Sequence, residues 1–302
     1  MRERFFAFFE KGCPPRLVAT FRIAFFTGLA LHFGPALVLI EENFTVGSVR
    51  ARQWNDWLFF HLGDVPLPAL RILAAVTLLA IVSGLVGFRP RLSSCITFVG
   101  SWVFASFNAL PVQTLALFNA WAVLTVCCVC GGASHVWSLD AWLHKGPAGP
   151  PPSTLGRLIF FQCALGFFFA GVEKVLWGYL SHNEMAMLLA TPRGYILRSW
   201  VHEVPLLRAT WVTWTMSLST VLIELLAPLL LLVRRTRLWA LAAYELLFLA
   251  IIAMIEVPPL FFCMFFFGGL LVVDREDVVS IRRLLARQPG APAPPPPGTT
   301  TR

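Results

Sequence analysis

Lys174 sits within an apolar run, Leu158-Ile-Phe-Phe-Gln-Cys-Ala-Leu-Gly-Phe-Phe-Phe-Ala-Gly-Val-Glu-Lys174-Val-Leu-Trp-Gly178, and shares the chain's 24 basic positions with only two other lysines, Lys11 and Lys145. Where this chain needs only positive charge it uses arginine. A lysine at bilayer depth therefore points to a group whose proton can be removed, and the chemistry it suggests is general-base catalysis. The competing reading is an ion pair that ties helices together, since charged groups in membranes usually find partners.

The other ionisable residues within apolar segments are Arg22, His32, Arg71, Glu173, Glu224, Glu245 and Glu256. Arg71 is close to a helix end and can snorkel, and Glu256 is near an interface. Arg22, Glu224 and Glu245 call for partners or a polar cavity. Phe160, Cys163, Phe167, Gly171, Lys174 and Gly178 recur at three- and four-residue steps, so one helix stripe carries the lysine between two glycines. Small residues there let another helix or a flat ligand approach closely. Glu173, next in sequence, points about 100° away and is not an obvious partner. A desolvated lysine with no close carboxylate can exist as a neutral amine able to accept a proton.

The elements that must hold these groups follow from composition: 57% hydrophobic residues, 13% charged and a mean hydropathy of +0.72 define a multi-pass membrane protein. The net charge of +8 gathers in short arginine clusters at the ends of apolar runs. That is the pattern of topology determinants, and it argues against nucleic-acid binding. Cys127, Cys128 and Cys130 have no histidine or cysteine partners at zinc spacing, so no metal site is expected.

About twenty apolar residues cross a bilayer. On that basis the fold is an all-α polytopic membrane helical bundle of about eight transmembrane helices: Leu17 to Ile40, Ala69 to Phe88, Cys95 to Leu110, Val112 to Cys130, Leu155 to Trp177, Thr210 to Val233, Leu238 to Val257 and Pro259 to Val273. Pro111 and Pro258-Pro259 mark tight hairpins between the third and fourth and between the seventh and eighth. Residues 1–16 read as an interfacial amphipathic helix rather than a signal peptide, 17–273 as the transmembrane domain, and 274–302 as a cytoplasmic tail, Pro-rich and disordered at its end. Basic residues before the first span and after the second, sixth and eighth all fall on one side. Both termini are therefore expected in the cytoplasm.

Phe167-Phe-Phe-Ala-Gly-Val-Glu-Lys174-Val-Leu-Trp-Gly178, followed by Leu222-Ile-Glu224-Leu-Leu-Ala-Pro228-Leu, resembles the core of the vitamin K-dependent gamma-carboxylase family and of its bacterial relatives, the horizontally transferred transmembrane (HTTM) domain proteins. Phe21-Arg22-Ile23, Gly87-Phe-Arg-Pro-Arg91 and Ala133-Ser-His135-Val-Trp-Ser138-Leu-Asp140 match further segments, so the resemblance runs from about Leu17 to Val273. It implies a bacterial inner-membrane protein in which Lys174 is the base that deprotonates a reduced quinone, vitamin K or menaquinone. It also implies that His135 belongs to the active site, although His135 alone reads as an interfacial histidine. Arg22, Glu224, Gly171 and Gly178 are the remaining candidates, for substrate binding.

The large extramembrane region with which animal carboxylases hold peptide substrates has no counterpart in this sequence, and propeptide-directed carboxylation is not expected. Glu173 replaces a second basic residue beside the lysine, and the seventh span lacks the family's usual histidine. Three readings follow. The first is a quinol-using enzyme in which Lys174 acts with His135 and an Arg22–Glu224 pair. The second is a non-carboxylating protein that matures a secreted peptide toxin, as in relatives of sporulation-delaying protein B. The third is a structural role, with Lys174 paired to Glu224 or Glu245.

Overall fold

The computed structural model describes residues 13–40, 66–107, 136–144, 153–183, 185–186, 206, 209–254, 259–274, 276–277 and 279. Among them the regular elements are eight α-helices: α1 (Pro15–Val38), α2 (Leu67–Val86), α3 (Pro90–Phe107), α4 (Leu139–His144), α5 (Ser153–Leu176), α6 (Thr210–Leu232), α7 (Arg237–Met254) and α8 (Pro259–Leu270). Proline opens α1, α3 and α8, where its missing N–H costs nothing and its fixed φ suits the first turn. Gly87 ends α2 in the left-handed conformation, with φ of 71°.

Four stretches are long and apolar enough to cross a membrane: Pro15–Pro35, Leu67–Val86, Gly156–Leu176 and Thr210–Leu232. The described residues thus give an all-helical membrane protein with four clear candidate spans. The eight helices are not the eight expected spans, because α4 has only six residues and α8 only 12, about 18 Å of rise. The expected fourth span, 112–130, lies outside the described residues, as do residues 1–12, 41–65 and, apart from 206, 187–208.

α1 packs against α2 and α8. Its Phe21, Phe25, Phe26 and Leu29 are all buried. Gly84 lets α2 close onto the Phe26 ring, and Gly100 lets α3 close onto Thr77. α5 packs on α6 and α8, and α7 on α6 and α8. Exposed tryptophans mark both ends: Trp137, Trp142 and Trp239 at one, Trp177, Trp211 and Trp214 at the other. Such belts suit the two water interfaces of a bilayer.

The end at which α1, α5 and α7 begin and α8 finishes is fastened by buried polar groups. Arg157, in the first turn of α5, donates to the carbonyls of Leu271 (3.2 Å) and Val272. The Cys13 thiol donates to the same Leu271 oxygen at 2.9 Å. Burial pushes that thiol up to about 11, with Arg157 pulling it down and Asp274 adding to the rise, so it stays a neutral donor. Arg237, at the start of α7, bridges Asp274 (3.0 Å) and Asp277 (3.1 Å), while the backbone amide of each aspartate donates to the carboxylate of the other.

Burial raises the Asp274 carboxyl, but the Asp277 amide and the Arg237 guanidinium outweigh it and hold the group below its ordinary range. A depressed carboxylate stabilises the fold fully above its unfolded value, near 3.9, and less as pH falls through the folded value. The melting temperature should therefore hold between about pH 7 and 5 and fall below about pH 4. Scanning fluorimetry should find Asp274→Asn less stable at neutral pH and with a smaller acid fall. Parallel wild-type and variant curves would exclude this role for Asp274.

Candidate functional site

The α5 stripe read from sequence is the packing face of the helix. Its first half meets α7 and α8: Cys163 lies against Gly268, and the Phe167 ring sits 4.6 Å from Tyr244 and 6.0 Å from Phe265. Its second half meets α6. A side chain at Gly171 would place its Cβ 3.0 Å from Glu224 Cβ and 3.1 Å from Leu225 Cγ. The glycine thus sets the close approach of α5 to α6, and one turn later Lys174 reaches across it.

Lys174 Nζ donates to both Glu224 carboxylate oxygens, at 2.6 Å each. The pair is asymmetric in burial, with the Glu224 side chain 2% exposed and that of Lys174 26%. The carboxylate is buried between helices while the lysine side chain stays partly exposed. In apolar surroundings such a contact is strong, and each charge is the main compensation for burying the other. Beyond Glu224 toward the C-terminus, Pro228 lies inside α6 and cannot donate to the Glu224 carbonyl one turn back. Its ring thus removes one backbone tie at the residue that carries the carboxylate.

Gly178 has a different task from Gly171. It ends α5 with φ of 74°, and the Tyr179 amide bonds the Lys174 carbonyl at 2.9 Å. This is the Schellman arrangement, in which a left-handed glycine turns the chain and the next amide caps a carbonyl of the last turn. The turn folds Tyr179, itself buried, back beside the amine, with Lys174 Nζ 5.7 Å from its ring centroid. A cation over an aromatic face gains about 0.5–2 kcal/mol. Sequence reasoning missed Tyr179. Its signal was the glycine just past a helix end, which implies that the following residue returns to the last turn.

Arg22 and Glu224, expected as a pair, are not brought together. Arg22 is fully buried and donates to the Trp137 backbone carbonyl at 2.5 Å, with its guanidinium against Gly87. That corner holds the turn before α4 onto the end of α2, at the end where α1 begins. Lys174 is instead in the last turn of α5, toward the opposite end. His135, the other expected catalytic residue, lies outside the described residues. Glu173 is exposed, and Glu245 contacts the backbone at Gly269, with neither carboxylate oxygen hydrogen-bonded among the described residues.

Fold and site together define a helical membrane protein that keeps a lysine–carboxylate pair between two of its spans. The HTTM domain family model matches residues 13–273, most of the chain, and the protein belongs to that family. No curated protein and no solved structure was found to match the chain.

Proposed function

We propose that this HTTM protein is a carboxylase-like membrane enzyme in which Lys174 and Glu224 together take a proton from a reduced quinone, vitamin K or menaquinone. The observation that supports the reading is the contrast between a Lys174 side chain that stays 26% exposed and an almost wholly buried carboxylate. Val175, Leu176 and Trp177 expose apolar side chains next to it, so a lipid-soluble hydroquinone has access from the bilayer. In a dry site the ammonium can pass a proton to Glu224, leaving a neutral amine and a neutral acid. The neutral Lys174 amine would then be able to take up a proton from a hydroxyl held against it, while Glu224 keeps the proton it received. Oxidation of the reduced quinone by dioxygen would supply the driving force for work on a second substrate, such as a secreted peptide. An orientation with both termini in the cytoplasm of a bacterial inner membrane belongs to the same proposal. It is supported by Arg16, Arg89, Arg91, Arg234 and Arg235, which share one end of the bundle.

The double contact at 2.6 Å favours a second reading, in which the pair does no more than join α5 to α6. Quinone epoxide formation by protein reconstituted with reduced menaquinone or vitamin K under air, with dioxygen as the oxidant that supplies the epoxide oxygen and leaves as water, separates the two. Wild type should turn over and Lys174→Ala should lose about a hundredfold or more. Lys174→Arg should rescue nothing, because a guanidinium keeps its proton. Equal rates in all three would remove the base, and no turnover in well-folded wild type would leave the static pair.

A further inference from the structure

The turn between α2 and α3, together with α4, forms a surface that the Lys174 site does not use. Phe88, Trp137, Leu139, Trp142 and Leu143 are exposed there, Trp142 by 72%. Arg89 stands exposed on that turn and Arg91 in the first turn of α3, and the Arg89 guanidinium lies over the Phe88 ring, 5.9 Å from its centroid. The arrangement is built. The Arg89 amide donates to the Asp140 carboxylate at 3.0 Å, and the Asp140 amide donates to the Gly87 carbonyl at 3.3 Å. The buried Arg22 grips the Trp137 carbonyl from below. Arg89 and Trp137 both adopt left-handed backbone, with φ of 41° and 50°. Such conformations cost a non-glycine residue on the order of 1–2 kcal/mol each, so packing rather than local preference sets them.

We infer that this Arg–Trp platform binds the headgroups of anionic phospholipids at the bilayer surface. Indole rings favour the headgroup layer, where their apolar bodies meet acyl chains and their N–H groups meet phosphate or ester oxygens. Two arginines beside them match a phosphodiester in charge and in fork geometry. α2 ends and α3 begins at this turn, which places the platform level with the membrane surface rather than in the aqueous phase. The hydrophobic groups alone would accept any lipid, and the arginines supply the preference for negative charge.

Native mass spectrometry of the full chain in mild detergent, offered phosphatidylglycerol and phosphatidylcholine with the same acyl chains, tests this. Wild type should retain phosphatidylglycerol in preference. Arg89→Gln/Arg91→Gln should lose that preference by roughly fivefold per arginine. Trp142→Ser should weaken retention of both lipids. Arg234→Gln/Arg235→Gln removes the same charge elsewhere at that end and should leave the preference nearly intact. Equal loss in the two arginine pairs would mean diffuse charge and overturn the site. Absence of any phosphatidylglycerol preference in wild type would overturn it too, as would a two-chain species that Trp142→Ser splits, which would make the platform a dimer contact.

Discussion

Lys174→Met should destabilise the protein by about 3–5 kcal/mol, while Lys174→Met/Glu224→Leu should return most of that loss. The single change strands a carboxylate that is only 2% exposed, with no other hydrogen-bond partner among the described residues. Glu224→Leu should cost less, about 1–2 kcal/mol, because the remaining lysine side chain is already 26% exposed and its four-carbon stem can carry the ammonium toward the interface. Removing both charges exchanges an ion pair for apolar contacts between α5 and α6, which is often neutral in stability. Thermal melts of the four proteins form a cycle with an expected coupling of about 2 kcal/mol or more. Strict additivity would mean that the contact at 2.6 Å contributes nothing to folding. The cycle also bears on function: a stable double variant without quinone turnover would show that folding does not need the pair but chemistry does.

The sequence disclosed the face that matters on α5 but not the partner across it. Three- and four-residue spacing put Gly171 and Lys174 on one stripe, and the packing of Gly171 on Glu224 follows that stripe. Whether Lys174 would meet Glu224 or Glu245 depends on the register of helices whose residues are 50 or more positions apart, and local periodicity carries no such information. For the same reason Arg22 read as a partner for Glu224, yet it serves a backbone carbonyl next to α4. Gly178 lay on the stripe by arithmetic alone, since the helix stops before it and its left-handed φ makes it a terminator. The membrane class was legible from bulk composition. The number of spans was less so, because an apolar run such as Pro259–Leu270 can form a helix too short to cross a bilayer unaided.

Arg157→Met should lower the melting temperature by roughly 5 °C, reflecting about 3 kcal/mol in a chain of this size. In sequence Arg157 reads as one more basic residue at the end of a span. In the fold it is fully buried, and its guanidinium serves the carbonyls of Leu271 and Val272, just past the last turn of α8. Helix ends leave carbonyls without intrahelical donors, and a cation there also meets the negative end of the helix dipole. Methionine preserves much of the volume but leaves those oxygens in an interior that offers one other donor to Leu271, the Cys13 thiol. Arg157→Lys should recover less than half of the loss, because a single ammonium on a shorter reach cannot replace the fork. Hydrogen exchange should speed up at residues 271–274, where the chain leaves α8 for the Arg237–Asp274–Asp277 bridge. A methionine variant that melts with wild type and exchanges at the same rate would mean that α8 is held by its contact with α1 alone, with the buried guanidinium contributing nothing to that end of the bundle.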